Sequence, residues 1–356
     1  MPRRILILPY IDRFANGVWA TETKRVLEAK GYEVTFLQEL YRKKDGISPS
    51  WGIEQLSEYA DSIRLSKRMH SSIRGRAYYA RLRRRARNLE VKIVKEKPDA
   101  VICLNEMESY VLTKELGCLK IFSCPSPFID ELYYEGKLNR TWCNKLRDLE
   151  LEIYEKTDYL SFHWENYTNY VRKNIYNGSN IFIMNAGCNP KVKRAQWASP
   201  ARLVFLGYLG GYWNNLPLLA TLGRLYHIDV YGGPTPNRSL GLNYKGYAPT
   251  TEILADYQFG LVTLSKDKLR QNSFSSKQLE YLSYALPVLT PEWRQDPLLD
   301  QVSIKYNESN ILDKIREHSD RASWEAMSEK CYQQSTKWSW ESQLQPLIEI
   351  LRKELV

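Results

Sequence analysis

Apolar and polar positions alternate in blocks along the chain, and the blocks predict a repeated strand–helix order. Short apolar runs have the length of buried strands, and longer stretches with apolar residues at helical spacing separate them. In the first half the predicted strands lie at 5–9, 33–37, 100–104, 120–123, 159–163 and 180–184, with helices at about 20–30, 52–97 and 141–156. In the second half the predicted strands lie at 202–206, 228–231, 259–264 and 287–289, with helices at about 214–224, 250–256, 275–286 and 332–351.

This order is typical of α/β proteins with parallel sheets, and it occurs twice. A polar, proline-bounded stretch near residues 189–200 lies between the two halves and suggests a connection between domains. We therefore predict an N-terminal domain over 1–190, a linker over 191–201 and a C-terminal domain over 202–335. The last segment, 336–356, is predicted to be a helix that returns to the N-terminal domain.

Composition favours a reduced protein of two domains without a membrane span. The chain has 356 residues, 43% of them hydrophobic, which is enough for two separate cores. Its six cysteines include no CxxC pair, so neither a disulfide framework nor a zinc site is predicted. The apolar N-terminal run is short, interrupted by Pro9 and closed by Asp12, which suits a first strand better than a signal peptide. No apolar run approaches the roughly 20 residues of a spanning helix, and we expect a cytoplasmic protein.

Positive charge is concentrated in one segment. Residues 64–97 contain 13 Lys and Arg against two acidic residues, while the whole chain has a formal net charge of +10. Within this segment apolar residues at helical spacing alternate with arginines, namely Arg81, Arg83, Arg84, Arg85 and Arg87. Such a helix suits an anionic membrane surface or a polyprenyl-phosphate acceptor, so we expect peripheral attachment at the inner face of the membrane. Nucleic acid is the competing partner, and a solvated charged face is the simplest alternative.

The stretch 272–288 has the features of a site for a nucleotide diphosphate. A polar loop leads into a helix that begins near Ser275 and Ser276 and stops before Pro287. The start of a helix attracts phosphate through its N–H groups. Lys277 adds a full positive charge, and Glu280, one turn later, is suited to accept the hydroxyl groups of a ribose. An ordinary amphipathic helix with a Lys–Glu pair is the alternative.

Several runs in the second half, taken in order, resemble the C-terminal domain of GT-B glycosyltransferases. The resemblance is to the family 4 type and to the xanthan-pathway glucuronosyltransferase type. It is carried by LVFLGYLG at 203–210, IDVYGGP at 228–234, YKGYAPTTEIL at 244–254, SSKQLEYLSYALPVL at 275–289 and Trp338-Ser-Trp340.

The resemblance implies a GT-B fold, in which two Rossmann-like domains face each other across a cleft. The nucleotide-sugar would lie against the C-terminal domain and the acceptor mostly against the N-terminal one. Lys277 would contact the diphosphate and Glu280 the ribose, and the turn containing Tyr247 and Pro249 would hold the base. The loop after the first C-terminal strand has no Arg or Lys, unlike family 4, so the backbone at Gly210 and Gly211 would cradle the phosphate.

The usual family 4 acid ahead of the ribose-binding Glu is also missing, since Ser273 and Phe274 occupy that region. These two departures favour the glucuronosyltransferase-like type.

Acidic residues after N-terminal strands are the candidates for the catalytic base. No Asp-x-Asp motif stands in a suitable place, so we expect metal-independent chemistry without a cofactor, with the nucleotide-sugar as substrate. Lys277 would neutralise the leaving group with Lys268 or Arg270. Asp130 is the first choice of base, with Glu131 as the alternative and Asp12 at lower weight, whereas a helix-capping role competes for Asp130. His163 is expected to be a packed or wall residue.

The sequence thus predicts a hexosyl- or glucuronosyltransferase that acts on a lipid-linked or cell-surface glycan. A nucleotide-sugar epimerase of the same fold remains a second enzymatic interpretation. A nucleic-acid- or membrane-binding protein without catalysis is the alternative from another class.

Overall fold

The computed structural model describes residues 2–8, 15–37, 71–104, 106–124, 126–209, 214–233, 235–248, 250–266, 269–271, 275–296 and 299–355. The chain divides into two compact units, and each is described by itself. The N-terminal unit consists of Met1–Asn185 and Leu344–Val356, and the C-terminal unit consists of Ala186–Gln343.

The N-terminal unit alternates strands and helices. Its elements in chain order are β1 (Arg4–Leu8), α1 (Ala15–Ala29), β2 (Glu33–Phe36), α2 (Ser71–Glu96), β3 (Ala100–Cys103), α3 (Glu106–Ser109), the 3₁₀ helix Tyr110–Thr113, β4 (Leu119–Cys124), α4 (Phe128–Tyr134), α5 (Arg140–Lys156), β5 (Tyr159–Phe162), α6 (Glu165–Asn174) and β6 (Ile181–Ile183). The six strands form one parallel sheet in the order β2-β1-β3-β4-β5-β6. All four residues of β3 are buried, which fits a parallel strand that is covered on both faces.

Two local features fix helices in this unit. The side chain of Asn139 caps α5 by accepting a hydrogen bond of 3.0 Å from the backbone N–H of Trp142. Gly75 lies against the same tryptophan, and a Cβ added at Gly75 would come within 2.2 Å of its ring. Glycine at this point therefore allows α2 to approach α5 closely.

The C-terminal unit repeats the strand–helix alternation. Its elements in chain order are β7 (Leu203–Leu206), α7 (Leu216–Leu225), β8 (Ile228–Tyr231), the 3₁₀ helix Arg238–Leu240, β9 (Asn243–Tyr244), the 3₁₀ helix Thr251–Asp256, β10 (Phe259–Leu261), α8 (Ser276–Ser283), β11 (Val288–Pro291), the 3₁₀ helix Asp300–Val302, β12 (Ser303–Tyr306), α9 (Ile311–Glu317), α10 (Arg321–Lys337) and α11 (Trp340–Gln343). A final helix, α12 (Gln345–Glu354), belongs to the N-terminal unit. The second sheet is also parallel, with the order β12-β11-β10-β7-β8-β9.

The segment predicted as a linker hydrogen-bonds to the C-terminal unit. The backbone N–H of Lys191 donates to Ser283, and that of Ala195 donates to Tyr284, at the end of α8. Trp197 donates from its indole nitrogen to the carbonyl oxygen of Ser319. These bonds anchor the segment to the unit whose first strand follows it.

The structure corrects several predicted elements. The residues near 250–256 form a 3₁₀ helix rather than an α-helix, and the predicted tail helix is interrupted at Trp338. Strand β12 and helix α6 were not predicted, because Ser303 and Lys305 interrupt the apolar pattern of β12 and α6 is rich in polar residues. Of the predicted helix 52–97, residues 52–70 lie outside the described part of the chain.

Candidate active site

The order of the second sheet places a switch point between β7 and β10. From β7 the chain continues outward through β8 and β9, whereas β10, β11 and β12 extend the sheet in the opposite direction. In open parallel sheets, ligands bind beyond the carboxyl ends of the strands at this kind of reversal. A ligand-binding site is therefore expected at the loops after β7, β10 and β11.

Lys277, in the first turn of α8, lies across the end of β7. Its Nζ is 4.3 Å from the centre of the Phe205 ring and 3.4 Å from Oδ1 of Asn214. A Cβ added at Gly207 would lie 2.1 Å from Cε of this lysine, so glycine leaves the space that the side chain occupies. The end of β7 and the following glycine thus hold the half-buried Lys277 at the switch point.

Two arginines from neighbouring loops add their charges to this lysine. Arg270 follows β10, Arg294 follows β11, and both oppose the charge on Lys277. Burial, with these two like charges, lowers the pKa of Lys277 to about 7. Burial also lowers the pKa of Arg294 to about 10, with Arg270 adding to the effect and Asp296 opposing it. We call Lys277, Arg270 and Arg294 the cation cluster, and three such charges suit a ligand with more than one negative charge.

Asp296 and Asp300 stabilise the loop that carries Arg294 of the cation cluster. The backbone N–H of Asp296 donates to both carboxylate oxygens of Asp300, each at 3.1 Å. Lys305 donates to the carbonyl oxygen of Arg294 at 2.6 Å and pairs with Asp300 at 2.5 Å. Asp296 is 2% exposed, and burial raises its pKa to about 6. These contacts fix the loop that carries Arg294.

Ser275 and Ser276 lie at the start of α8, as predicted. Ser275 is the N-cap residue and is buried, while Ser276 is exposed. The hydroxyl of Ser275 makes no capping hydrogen bond to the helix.

Glu280 lies one turn after Lys277 but faces different neighbours. Burial raises the pKa of its carboxyl group, and the nearby charge of Lys191 and a hydrogen bond with the Thr251 side chain oppose this effect. The Thr251 hydroxyl also lies 2.8 Å from the hydroxyl of Tyr284. Glu280 is therefore placed beside the segment that follows the predicted base-binding turn.

The loops after β7, β8 and β9 are joined to one another. A Cβ added at Gly233 would lie 2.4 Å from the backbone nitrogen of Leu209, so these two loops are in close contact. The N–H of Gly232 donates to the carbonyl oxygen of Gly246 at 2.8 Å. Tyr247 follows directly and is 75% exposed. Three other predicted nucleotide-binding residues, Gly210, Gly211 and Pro249, lie outside the described residues.

Asp130 lies in the first turn of α4 and is engaged by two side chains. Its Oδ1 is 2.5 Å from Nη2 of Arg147, and its Oδ2 accepts a hydrogen bond of 3.1 Å from the Tyr170 hydroxyl. Arg147 also pairs with the buried Glu150. The N-cap of α4 is Pro127, so the alternative that Asp130 caps this helix is wrong.

Of the remaining predicted catalytic residues, the structure describes Glu131. Glu131 lies in the same turn of α4 and is partly exposed. Asp12 and Lys268 are outside the described residues.

His163 is a packed histidine. Its ring stacks on Trp19 with ring centres 3.9 Å apart, and its Nε2 lies 2.9 Å from the Ser123 hydroxyl. Burial lowers the pKa of the imidazole to about 3, so the ring is neutral near pH 7.

The five predicted surface arginines lie on α2 in two different environments. Arg81, Arg83, Arg84 and Arg87 are exposed, and Arg83 donates to the Tyr79 hydroxyl at 3.2 Å. Arg85 instead forms a 3.0 Å ion pair with Glu108, which is 5% exposed. The same helix exposes Ile73, Val91 and Val94, so its outer surface combines basic and apolar side chains.

No helix in the described ranges is long and apolar enough to cross a membrane. Within the same residues, no group of three or more His, Cys, Asp and Glu side chains could hold a metal ion.

Sequence reasoning named Lys277 and Arg270 but missed Arg294. Arg294 stands three residues after the end of β11, and it belongs to no run that resembles a known family. A physical signal was present, because the carboxyl ends of parallel strands share one edge of the sheet. Basic residues that follow different strands, such as Arg270 and Arg294, are therefore expected to lie close together.

No family model and no curated protein matches this chain, but solved structures do. A sucrose-phosphate synthase from Thermosynechococcus elongatus matches with a TM-score of 0.68 at 11% identity, over 100% of this chain and 99% of that one. An alpha-glucosyltransferase in complex with UDP and a 13-mer DNA matches with a TM-score of 0.59 at 14% identity, over 99% and 100% of the two chains. TarM matches with a TM-score of 0.53 at 13% identity, over 70% of this chain and 54% of that one.

These proteins are glycosyltransferases of the GT-B type, and the likeness to the sucrose-phosphate synthase and the alpha-glucosyltransferase extends over both parallel sheets. At such low identity the likeness establishes the fold alone. The predicted α/β class is confirmed, and the chain has the GT-B fold.

Proposed function

We propose that this protein is a glycosyltransferase that moves a sugar from a nucleotide-sugar donor to a glycan or lipid-linked acceptor. The observation that carries the proposal is the cation cluster at the switch point of the second sheet, where Lys277, Arg270 and Arg294 converge. Fixed positive charges at this edge stabilise a departing nucleotide diphosphate in the transition state. The GT-B fold supports the same reaction class.

The remaining donor contacts follow from the neighbours of the cluster. Glu280 would accept the ribose hydroxyls, and the exposed Tyr247 with Pro249 would border the base. Ser275 and Ser276 would contribute groups at the start of α8, and the backbone at Gly210 and Gly211 would approach the phosphates. Donor binding in this scheme uses protein groups without a metal ion or a cofactor.

We propose Asp130 as the base that accepts the proton of the acceptor hydroxyl, with inversion at the anomeric carbon. Its oxygens are held by Arg147 and Tyr170, so the acceptor hydroxyl would replace the Tyr170 hydroxyl at Oδ2. Glu131, in the same turn, is the second candidate, and Asp12 is the third.

The acceptor side of the proposal rests on α2. Its exposed arginines and the apolar side chains among them suit the surface of an anionic membrane. We therefore infer a cytoplasmic protein attached peripherally to the inner face of the membrane, with a lipid-linked or cell-surface glycan as acceptor. A glucuronosyl or a hexosyl donor fits this scheme.

A thermal-shift screen with UDP, GDP, CDP and dTDP, each with and without EDTA, tests the donor class. A nucleotide that binds only the folded protein stabilises it by about 2.7 kcal/mol at 100 times its Kd. We expect one nucleotide diphosphate to raise the Tm, and EDTA to leave the rise unchanged. If none of the four shifts the Tm while duplex DNA does, the nucleic-acid alternative replaces the enzyme.

A further inference from the structure

Lys277 has an unusual set of neighbours for a lysine. Its ammonium group lies over the Phe205 ring, and its hydrogen-bond partner is the amide oxygen of Asn214 at 3.4 Å. Among the described residues, no carboxylate forms an ion pair with it. An aromatic face and one distant amide oxygen compensate a full charge only weakly.

Within the described part of the chain, the charges that act on Lys277 come from two loops, and both are positive. Arg270 approaches from the loop after β10, and Arg294 approaches from the loop after β11. Asp296 and Asp300 act on the guanidinium of Arg294. Glu280, on the same helix as Lys277, is turned towards Lys191 and Thr251.

This arrangement destabilises the protonated amine of Lys277 in the unliganded protein. Burial and the two arginines lower the pKa of Lys277 to about 7, so a large fraction of the molecules carries a neutral amine at pH 7 to 8. A bound diphosphate would bring two or more negative charges to the same place. It would favour the protonated amine and raise the pKa again.

We propose that binding of a nucleotide diphosphate at the cation cluster is coupled to the uptake of one proton by Lys277. The inference rests on the proposed function, since it assumes that the diphosphate occupies this cluster. The consequence is that donor affinity falls as pH rises above neutrality, because the neutral amine must first be protonated. Release of the nucleotide product returns the proton to solvent.

Calorimetry at pH 8 in buffers of different ionisation enthalpy measures this proton directly. At pH 8 the nucleotide is fully ionised, since its terminal phosphate loses its last proton near pH 6. Asp296, whose pKa is raised to about 6, is also ionised in the free protein. Using the nucleotide that the thermal-shift screen selects, we expect an uptake of about 0.9 proton per site in the wild type.

Two variants locate the proton. Lys277→Arg keeps a permanent charge at the site, so its uptake should fall to near zero and its affinity should change little between pH 7 and 8. Over the same range the wild type should lose about fivefold in affinity. Lys314→Arg changes a partly exposed lysine of α9 that pairs with Glu317, and this variant should take up as much proton as the wild type.

The outcomes distinguish a failure of the proton coupling from a failure of the proposed function. Equal binding heats in all buffers for a wild type that binds tightly would overturn the proton coupling and leave the proposed function standing. The same uptake in Lys277→Arg as in the wild type would also overturn it, because the proton would then go elsewhere. If no nucleotide diphosphate binds in any buffer, the proposed function itself fails.

Discussion

At the scale of single residues, the position of Lys277 depends on its contact with Gly207. The lysine carries the charge, but the glycine leaves the space in which Cε and Nζ lie beside Phe205. A methyl group at Gly207 would overlap Cε, and the long side chain would move away because it is flexible at that end. The observed position of Lys277 therefore requires a small residue at 207.

Gly207→Ala should weaken nucleotide diphosphate binding by about tenfold or more, since displacement of Lys277 removes a charge-assisted contact of about 1.5–3 kcal/mol. The overall fold should persist, which circular dichroism can check. Gly223→Ala is the matched control, because the nearest atom to its added Cβ is 3.9 Å away and the residue lies in α7. The Gly223→Ala control should bind the nucleotide diphosphate normally, and its free energy of unfolding should rise by about 0.5–1 kcal/mol. Normal binding in Gly207→Ala would show that the lysine does not contact the phosphates from its observed position.

Asp130→Asn should lower turnover by a factor of about 10²–10⁴ if the carboxylate accepts the proton of the acceptor. Donor affinity should stay within a few-fold, because Asp130 belongs to the N-terminal unit and the cation cluster to the C-terminal unit. Tyr170→Phe separates this role from a purely structural one, since it removes one partner of Asp130 and keeps the carboxylate. That variant should remain active with a changed KM for the acceptor.

The assignment of Asp130 also predicts the product anomer. Direct displacement with a base should give inversion, which NMR of the product measures. Full activity in Asp130→Asn would remove the base role, and retention of configuration would remove the direct displacement.

At the scale of elements, α2 combines a structural face and an exposed basic face. Leu82, Ala86 and Ile93 are buried in the core of the N-terminal unit, at the spacing predicted for one side of a helix. The arginines were predicted as one group, but the structure separates Arg85 from the others through its ion pair with Glu108. Sequence spacing could not reveal this, because Glu108 lies on α3 and reaches α2 only through the folding of the unit.

Replacement of Arg81, Arg84 and Arg87 by Gln should reduce binding to anionic vesicles. Each charge near an anionic surface contributes about 1 kcal/mol, so a loss of roughly 100-fold is expected for three charges. The Tm should hardly change, because these side chains are exposed. Arg85→Gln should show the opposite pattern, with nearly normal vesicle binding for a single lost charge and a lower Tm, since the buried Glu108 loses its cation.

Co-sedimentation with vesicles that contain anionic lipid, followed over increasing salt, measures both variants. Wild-type sedimentation by the triple variant would contradict the membrane role of α2. Salt-sensitive binding of wild type to duplex DNA but not to vesicles would instead favour nucleic acid as the partner.

At the scale of the whole molecule, the α/β class and its parallel sheets followed from the alternation of short apolar runs with helical patterns, whereas the GT-B fold was implied by the resemblance of runs in the second half. Parallel strands buried on both faces give continuous apolar runs, as β3 does, and these are easy to recognise. The part of the candidate site that could be predicted lies in the run from Ser275 to Glu280 and in the basic loop before it, where Arg270 is described. The contacts that could not be predicted join separate segments of the chain. Arg294 acts on the charge of Lys277, and Arg147 pairs with Asp130, only after the sheets form.

The central claim is that the cation cluster binds the diphosphate of the donor, and the affinity of Lys277→Ala for nucleotide tests it most directly. Isothermal titration of wild type and variant should be done at pH 7 with the nucleotide diphosphate that the wild type binds best. Loss of one charge-assisted contact should weaken binding by about 1.5–3 kcal/mol, or roughly 10- to 150-fold, with an unchanged circular dichroism spectrum. A variant that binds the nucleotide as tightly as the wild type would contradict the account.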